Sequence, residues 1–184
     1  MPLSAHEVRT VLTDPLARRG FERVRSRKLW LSQREGFELG IVLVREIRIE
    51  AVVLNTDVGA IMNGVTPSGI DDLRYAPFIV RQFSPGRVRA LSQEVTQAAD
   101  WLGQFKTVDN VLDFLISEPG STLRVPGMPW PSHWPMRLFT AAALAVTTVN
   151  SRATVLAAEA LDENLKWPDS TNAGRRQRLL AAMA

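Results

Sequence analysis

A chain of 184 residues with 46% hydrophobic and 22% charged side chains is long enough for one conventional core and lies far from the compositions that stay disordered. It contains no cysteine and only His6 and His133, which excludes disulfides, thiolate catalysis, zinc–thiolate sites and imidazole clusters. The net charge is only +3 and the two signs are intermixed along the chain, so no basic tail or stripe points to nucleic acid as the main partner.

The first element is a helix opened by a capping box, Ser4 with Glu7, with Leu3 and Val8 placed for a hydrophobic staple. Val8, Val11, Leu12 and Leu16 follow at helical spacing, Asp14-Pro15 marks a kink or restarted turn, and Gly20 supplies a left-handed stop. From Phe21 to Val58 the apolar period changes to two, the pattern of half-buried antiparallel strands. Phe37, Leu39, Ile41 and Leu43 share a face, and Arg34-Glu35-Gly36 and Arg45-Glu46 read as hairpin turns. The expectation is a meander of three to four strands. Residues 59–77, rich in glycine and proline, read as a surface loop, with a short edge strand near Phe78 to Phe83.

Helix resumes after Ser84-Pro85, where Val88, Leu91, Val95, Ala98, Leu102 and Phe105 form an apolar stripe. Thr107 caps a shorter helix carrying Val108, Val111, Leu112, Leu115 and Ile116. Residues 119–135 hold five prolines together with Trp130 and Trp134, so an extended loop anchored by its tryptophans is expected there. Met136 to Thr148 and Arg152 to Glu163 read as an antiparallel helical hairpin turning at Asn150-Ser151, with one long helix as the alternative. A short basic helix, Ala173 to Met183, ends the chain. Strands before helices argue for an α+β fold rather than a doubly wound parallel sheet. The expected organisation is a single α+β domain over 1–184, with the first helix and meander in 1–83 and a helical half in 84–184 packed on one sheet face. The longest uncharged run, Leu138 to Ser151, is shorter than the roughly 20 residues that cross a bilayer. The opening residues do not read as a secretory signal, so the expected compartment is the cytoplasm.

Gly64 and Gly69 have the glycine spacing of a phosphate-binding loop, but Ile70 and Asp71 stand where lysine and a hydroxyl residue are required. Asp57, Asp71 and Asp72 would serve a metal-dependent hydrolase, while turn and helix-cap chemistry accounts for the same carboxylates. No set of nucleophile, base and oxyanion donors can be assembled, so a non-catalytic protein without a cofactor is expected. Arg23, Arg25 and Arg27 project from one side of the first strand, with Trp30 on the opposite parity. That mixture suits an acidic protein surface or RNA, or else a charged edge strand protected against aggregation. Trp130, His133 and Trp134 sit on a proline-stiffened loop of the kind that presents binding energy with little ordering entropy to lose, although the same tryptophans would equally plug the core. Arg175, Arg176 and Arg178 would complement a helix terminus or a nearby acidic face.

Leu16-Ala-Arg-Arg-Gly-Phe-Glu-Arg23 with Leu29-Trp-Leu31, Trp101-Leu-Gly-Gln-Phe105 through Val111-Leu-Asp-Phe-Leu115, and the alanine-rich segments 141–146 and 157–161 together resemble a family of uncharacterised bacterial α+β domains of unknown function. Relatives in that family are often found near polymorphic-toxin and immunity genes. The resemblance carries no catalytic residues and implies a binding role by association. The expected partner is another protein, with no membrane contact and with nucleic acid as the lesser alternative.

Overall fold

The computed structural model describes residues 4–24, 28–44, 48–64, 77–83, 88–117, 134–166 and 170–184. The chain opens with α1 (Ala5–Val8), a π-helical turn (Arg9–Thr13) and α2 (Asp14–Ala17) in continuous succession. The capping box forms as the sequence implies: the Glu7 carboxylate accepts from the Ser4 amide at 2.8 Å, and the Glu7 amide donates to Ser4 Oγ at 3.2 Å. The Ser4 amide, together with the Ser4 hydroxyl that donates to the same carboxylate at 2.7 Å, holds the Glu7 carboxyl below its ordinary range, so the cap contributes stability above that range and loses it as pH falls through the lowered value. Leu3 lies outside the described residues. The widened turn has a local cause. Pro15 has no N–H to donate, and its ring would crowd the carbonyl four residues back.

Five strands follow, β1 (Glu22–Arg23), β2 (Leu29–Arg34), β3 (Phe37–Val44), β4 (Arg48–Leu54) and β5 (Pro77–Phe83), antiparallel and in chain order across the sheet. The α+β class is therefore as expected: β1 to β4 form the four-strand meander, and β5 is the edge strand expected near Phe78 to Phe83, which makes five strands in all. The β2–β3 turn falls at Glu35-Gly36, where Gly36 takes φ +81°. The second turn, at Arg45-Glu46, lies outside the described residues. The loop reading of 59–77 is corrected at its start: α3 (Thr56–Asn63) follows β4 directly, capped by Asn55, whose side chain accepts from the Val58 amide at 2.9 Å. The helix is eight residues long and leads into a glycine- and proline-rich stretch, so composition favoured a loop although Asn55 and Asp57 mark a helix start.

The helical half comprises α4 (Val88–Leu102), α5 (Val108–Ile116), α6 (Trp134–Thr147), α7 (Ala153–Leu165) and α8 (Ser170–Met183). Leu91, Val95, Ala98, Leu102 and Phe105 are all buried, and α4 lies against β3, β4 and β5. Thr107 caps α5 in a reciprocal box with Asn110. The hairpin of α6 and α7 forms, not one long helix. Its first helix begins two residues earlier than expected, taking in Trp134 and Pro135, and proline is tolerated in a first helical turn. Arg175 and Arg178 of α8 do complement a helix terminus. They donate to the last carbonyls of α3, Arg175 Nε to Met62 O at 2.9 Å and Arg178 Nε to Ile61 O at 2.7 Å.

One apolar cluster joins Leu12 and Leu16, the sheet face of Trp30, Leu39, Ile41 and Ile49, and residues of all five later helices except the charged turns. The expectation of half-buried strands needs revision, since β4 is buried at every position from Ala51 to Leu54. A second cluster, Leu29, Leu31, Val52, Leu54 and Val80, lies on the other sheet face. Gly40 sits among them because a Cβ there would come within 2.7 Å of Val52 Cγ2. In the main core, Trp101, Phe105 and Phe114 meet edge to face at 5.2–6.1 Å, with Arg81 of β5 over Trp101 at 5.3 Å. Phe105 is 1% exposed and touches both other rings, so Phe105→Ala is expected to cost about 3–5 kcal/mol in denaturant unfolding. A loss below about 1 kcal/mol would show that the cluster is not a unit of the core.

Candidate functional site

A cleft of about 830 Å³ lies at one end of the sheet. Four chain junctions build it: the β2–β3 turn, the β4–α3 step, the α4–α5 step and the α6–α7 turn. Each is held by side-chain hydrogen bonds. Asn55 donates to Gly36 O at 2.7 Å while capping α3. Asn150 donates to Asp109 at 3.0 Å and accepts from the Arg152 amide at 2.9 Å, and Arg152 reaches Asp113 at 2.7 Å. Gly36 is fixed twice over, by its positive φ and by space, since a Cβ would meet Thr148 Cγ2 at 2.8 Å.

Val149 stands on the rim of this cleft. Its amide donates to Val146 O at 3.1 Å and the Asn150 amide to Ala145 O at 2.8 Å, the paired bonds of a Schellman helix end. That motif requires a left-handed residue, and Val149 supplies it at φ +52°. A β-branched side chain in this region is a genuine outlier and costs about 1–2 kcal/mol. No packing offsets the strain, because Val149 is 91% exposed. A strained residue with no compensating contact is an observation from which function is reasonably inferred.

A second cavity, of about 470 Å³, lies at the β1 edge of the sheet and is lined by Arg19, Arg23 and Arg34 beside Glu22, Leu31 and Ser32. Phe21 explains the opening. Its amide turns back to Leu16 O at 3.0 Å, and Gly20, at φ +79°, donates to Ala17 O. The chain therefore leaves the sheet before β1 can pair with the end of β2, and the strand register stops at Glu22 opposite Leu31.

The residues expected to meet a partner are distributed differently from the sequence reading. Arg23 is exposed, with its guanidinium 5.9 Å from the Trp30 ring. Trp30 corrects the expectation: it lies on β2, opposite Arg23 and on the same face, and it is fully buried with its indole N–H donating to Thr13 Oγ1 at 3.3 Å. Its side chain therefore belongs to the core and offers nothing to a partner. Arg25, Arg27, Trp130 and His133 lie outside the described residues; Trp134 begins α6, and its side chain is likewise outside the description. Asp57 is exposed in the first turn of α3, where a carboxylate complements the helix dipole, and Asp71 and Asp72 lie outside the described residues. Among the described residues no group of three or more His, Asp or Glu side chains is placed to hold a metal ion, and no helix is long and apolar enough to cross a membrane.

Sequence reasoning missed Val149, Arg19 and Arg34. The signal for Val149 was a helix hairpin without glycine at its turn, which forces some other residue into the left-handed conformation. Comparison of the chain with protein-family models, with curated proteins and with solved structures gives no match. Val149→Gly keeps the Schellman bonds and removes the strain, so it is expected to stabilise the protein by about 1 kcal/mol, raising the melting temperature by roughly 2–4 °C. A fall in melting temperature would mean that the valine side chain does pack.

Proposed function

We propose that the protein is a non-catalytic protein-binding module whose contact surface includes the α6–α7 turn and the rim of the sheet-end cleft. The observation that carries this reading is Val149, an apolar side chain held almost wholly in solvent at a conformational cost. Around it the cleft's polar side chains are used in holding the chain junctions together, as Asn55, Thr107, Asn110 and Asn150 show. A surface so fixed loses little entropy on binding. Within this reading, service as an immunity or accessory protein of a bacterial toxin system is what the resemblance of the Gly-Phe strand entry and the helical pairs implies.

A photoreactive benzoylphenylalanine at Lys106, an exposed cleft residue, tests the surface without altering the turn. In cells of the source organism it is expected to give a discrete adduct with one protein. The same probe at Glu159, exposed on α7, is expected to give none, and adding Val149→Gly is expected to weaken the Lys106 adduct. The reading fails if both positions give the same products, or if Lys106 gives no adduct.

A further inference from the structure

We propose that the arginine-lined groove at the β1 edge is a second docking site, and that its occupant is an extended acidic segment of a partner polypeptide. The inference takes up the protein-binding reading and adds the chemistry of the bound segment, on a surface separate from the Val149 turn.

Three observations converge there. The first is charge. Arg19, Arg23 and Arg34 line the groove against one carboxylate, Glu22. Strand alternation places Arg23, Ser32 and Arg34 on the face of Trp30, whereas Glu22 follows Leu31 to the other face. The second is availability. Arg34 folds back along the strand, with Nη1 donating to Ser32 Oγ at 2.9 Å and to Gln33 O at 2.8 Å, so its guanidinium lies along the edge while making no ion pair among the described residues. Among the described residues Arg23 lies over the Trp30 ring and makes no ion pair, and Arg19 shares an exposed bridge with Asp100 at 3.5 Å. The third is the backbone. Val24 N donates to Leu29 O at 2.9 Å, which makes 24 and 29 a hydrogen-bonded pair. Alternation then makes 22 and 31 the next such pair and turns the Gln33 amide outward, past the end of β1.

An extended chain laid on this edge meets an outward strand amide, the mode by which sheets accept added strands, and its carboxylates meet guanidinium groups whose planar forks suit them. A nucleic acid would find the arginines, but no exposed aromatic ring among the groove residues offers a base a stacking platform.

Fluorescence anisotropy with a labelled decapeptide of alternating glutamate and valine tests the site. Binding is expected to weaken about tenfold in an Arg23→Glu, Arg34→Glu variant. It is expected to weaken less in the corresponding glutamine variant, with both variants melting near the wild-type temperature. In wild type the Gln33 amide is expected to shift in ¹⁵N-correlation spectra on titration. No binding up to about 1 mM peptide, equal or tighter binding of a lysine–valine peptide or of a single-stranded DNA decamer, or unchanged affinity in the charge-reversed variant would overturn the proposal. Val149→Gly is expected to leave peptide affinity unchanged, so failure here and failure of the cleft reading are separately visible.

Discussion

The burial of α6 is the constraint on which the rest of the molecule depends. From Met136 to Ala145 every residue is buried, and the helix is surrounded by α3, α5, α7 and α8. A helix apolar on all sides is stable only when enclosed, so its neighbours are not optional decoration on the sheet. The alanines at 141, 142, 143 and 145 leave thin flanks that let those neighbours approach closely. Its two buried polar residues bond backbone carbonyls: Thr140 Oγ1 donates to Met136 O at 2.8 Å, and Arg137 Nη2 donates to Phe114 O at 2.9 Å. The second bond ties α6 to α5, and the α6–α7 turn is tied to α5 again through Asn150 and Asp109. Positioning α6 thus positions the cleft and the turn on its rim.

A similar chain of causes runs from Pro15 to the sheet edge. The π-helical turn ahead of Pro15 ends at Thr13, whose hydroxyl receives the Trp30 indole N–H. That bond fixes the N-terminal helix against β2. Phe21, 4% exposed, is then drawn into the core with its amide bonded to Leu16 O, which shortens β1 to two residues. The arginine groove is therefore a consequence of how the first helix ends, not a separate design.

Much of this fold was legible because it rests on local patterns. The capping box, the Gly20 stop, the Thr107 cap and the stripe from Leu91 to Phe105 each follow from spacings within one or two turns, and each is found where the pattern places it. What escaped were features set by tertiary pairing. Residues 21–33 carry one alternating pattern, yet the chain reverses between Arg23 and Leu29, so Trp30 faces the core beside Arg23 instead of lying opposite to it. The helix α3 was hidden because it is short and the glycines and prolines that follow dominate the composition of 59–77, although Asn55 and Asp57 mark its start. The candidate surfaces were the least legible part. They are assembled from turns distant in sequence, and the decisive property of Val149 is a backbone angle that no residue type announces.

The left-handed positions of the chain sharpen that point. Among the described residues four adopt positive φ: Gly20, Gly36, Gly64 and Val149. At the three glycines the conformation serves the path of the chain, turning it off α2, around the β2–β3 hairpin and out of α3. Glycine is the low-cost solution for each. The α6–α7 turn has the same backbone requirement, and glycine would satisfy it equally, with a more favourable helix end. A valine there contributes nothing to the core at 91% exposure and adds strain. The only respect in which it exceeds glycine is the apolar surface that it offers to solvent, beside a cleft whose walls are pinned by hydrogen bonds. Folding does not account for that choice of residue, and it is this exposed, strained side chain on which the proposed contact surface rests.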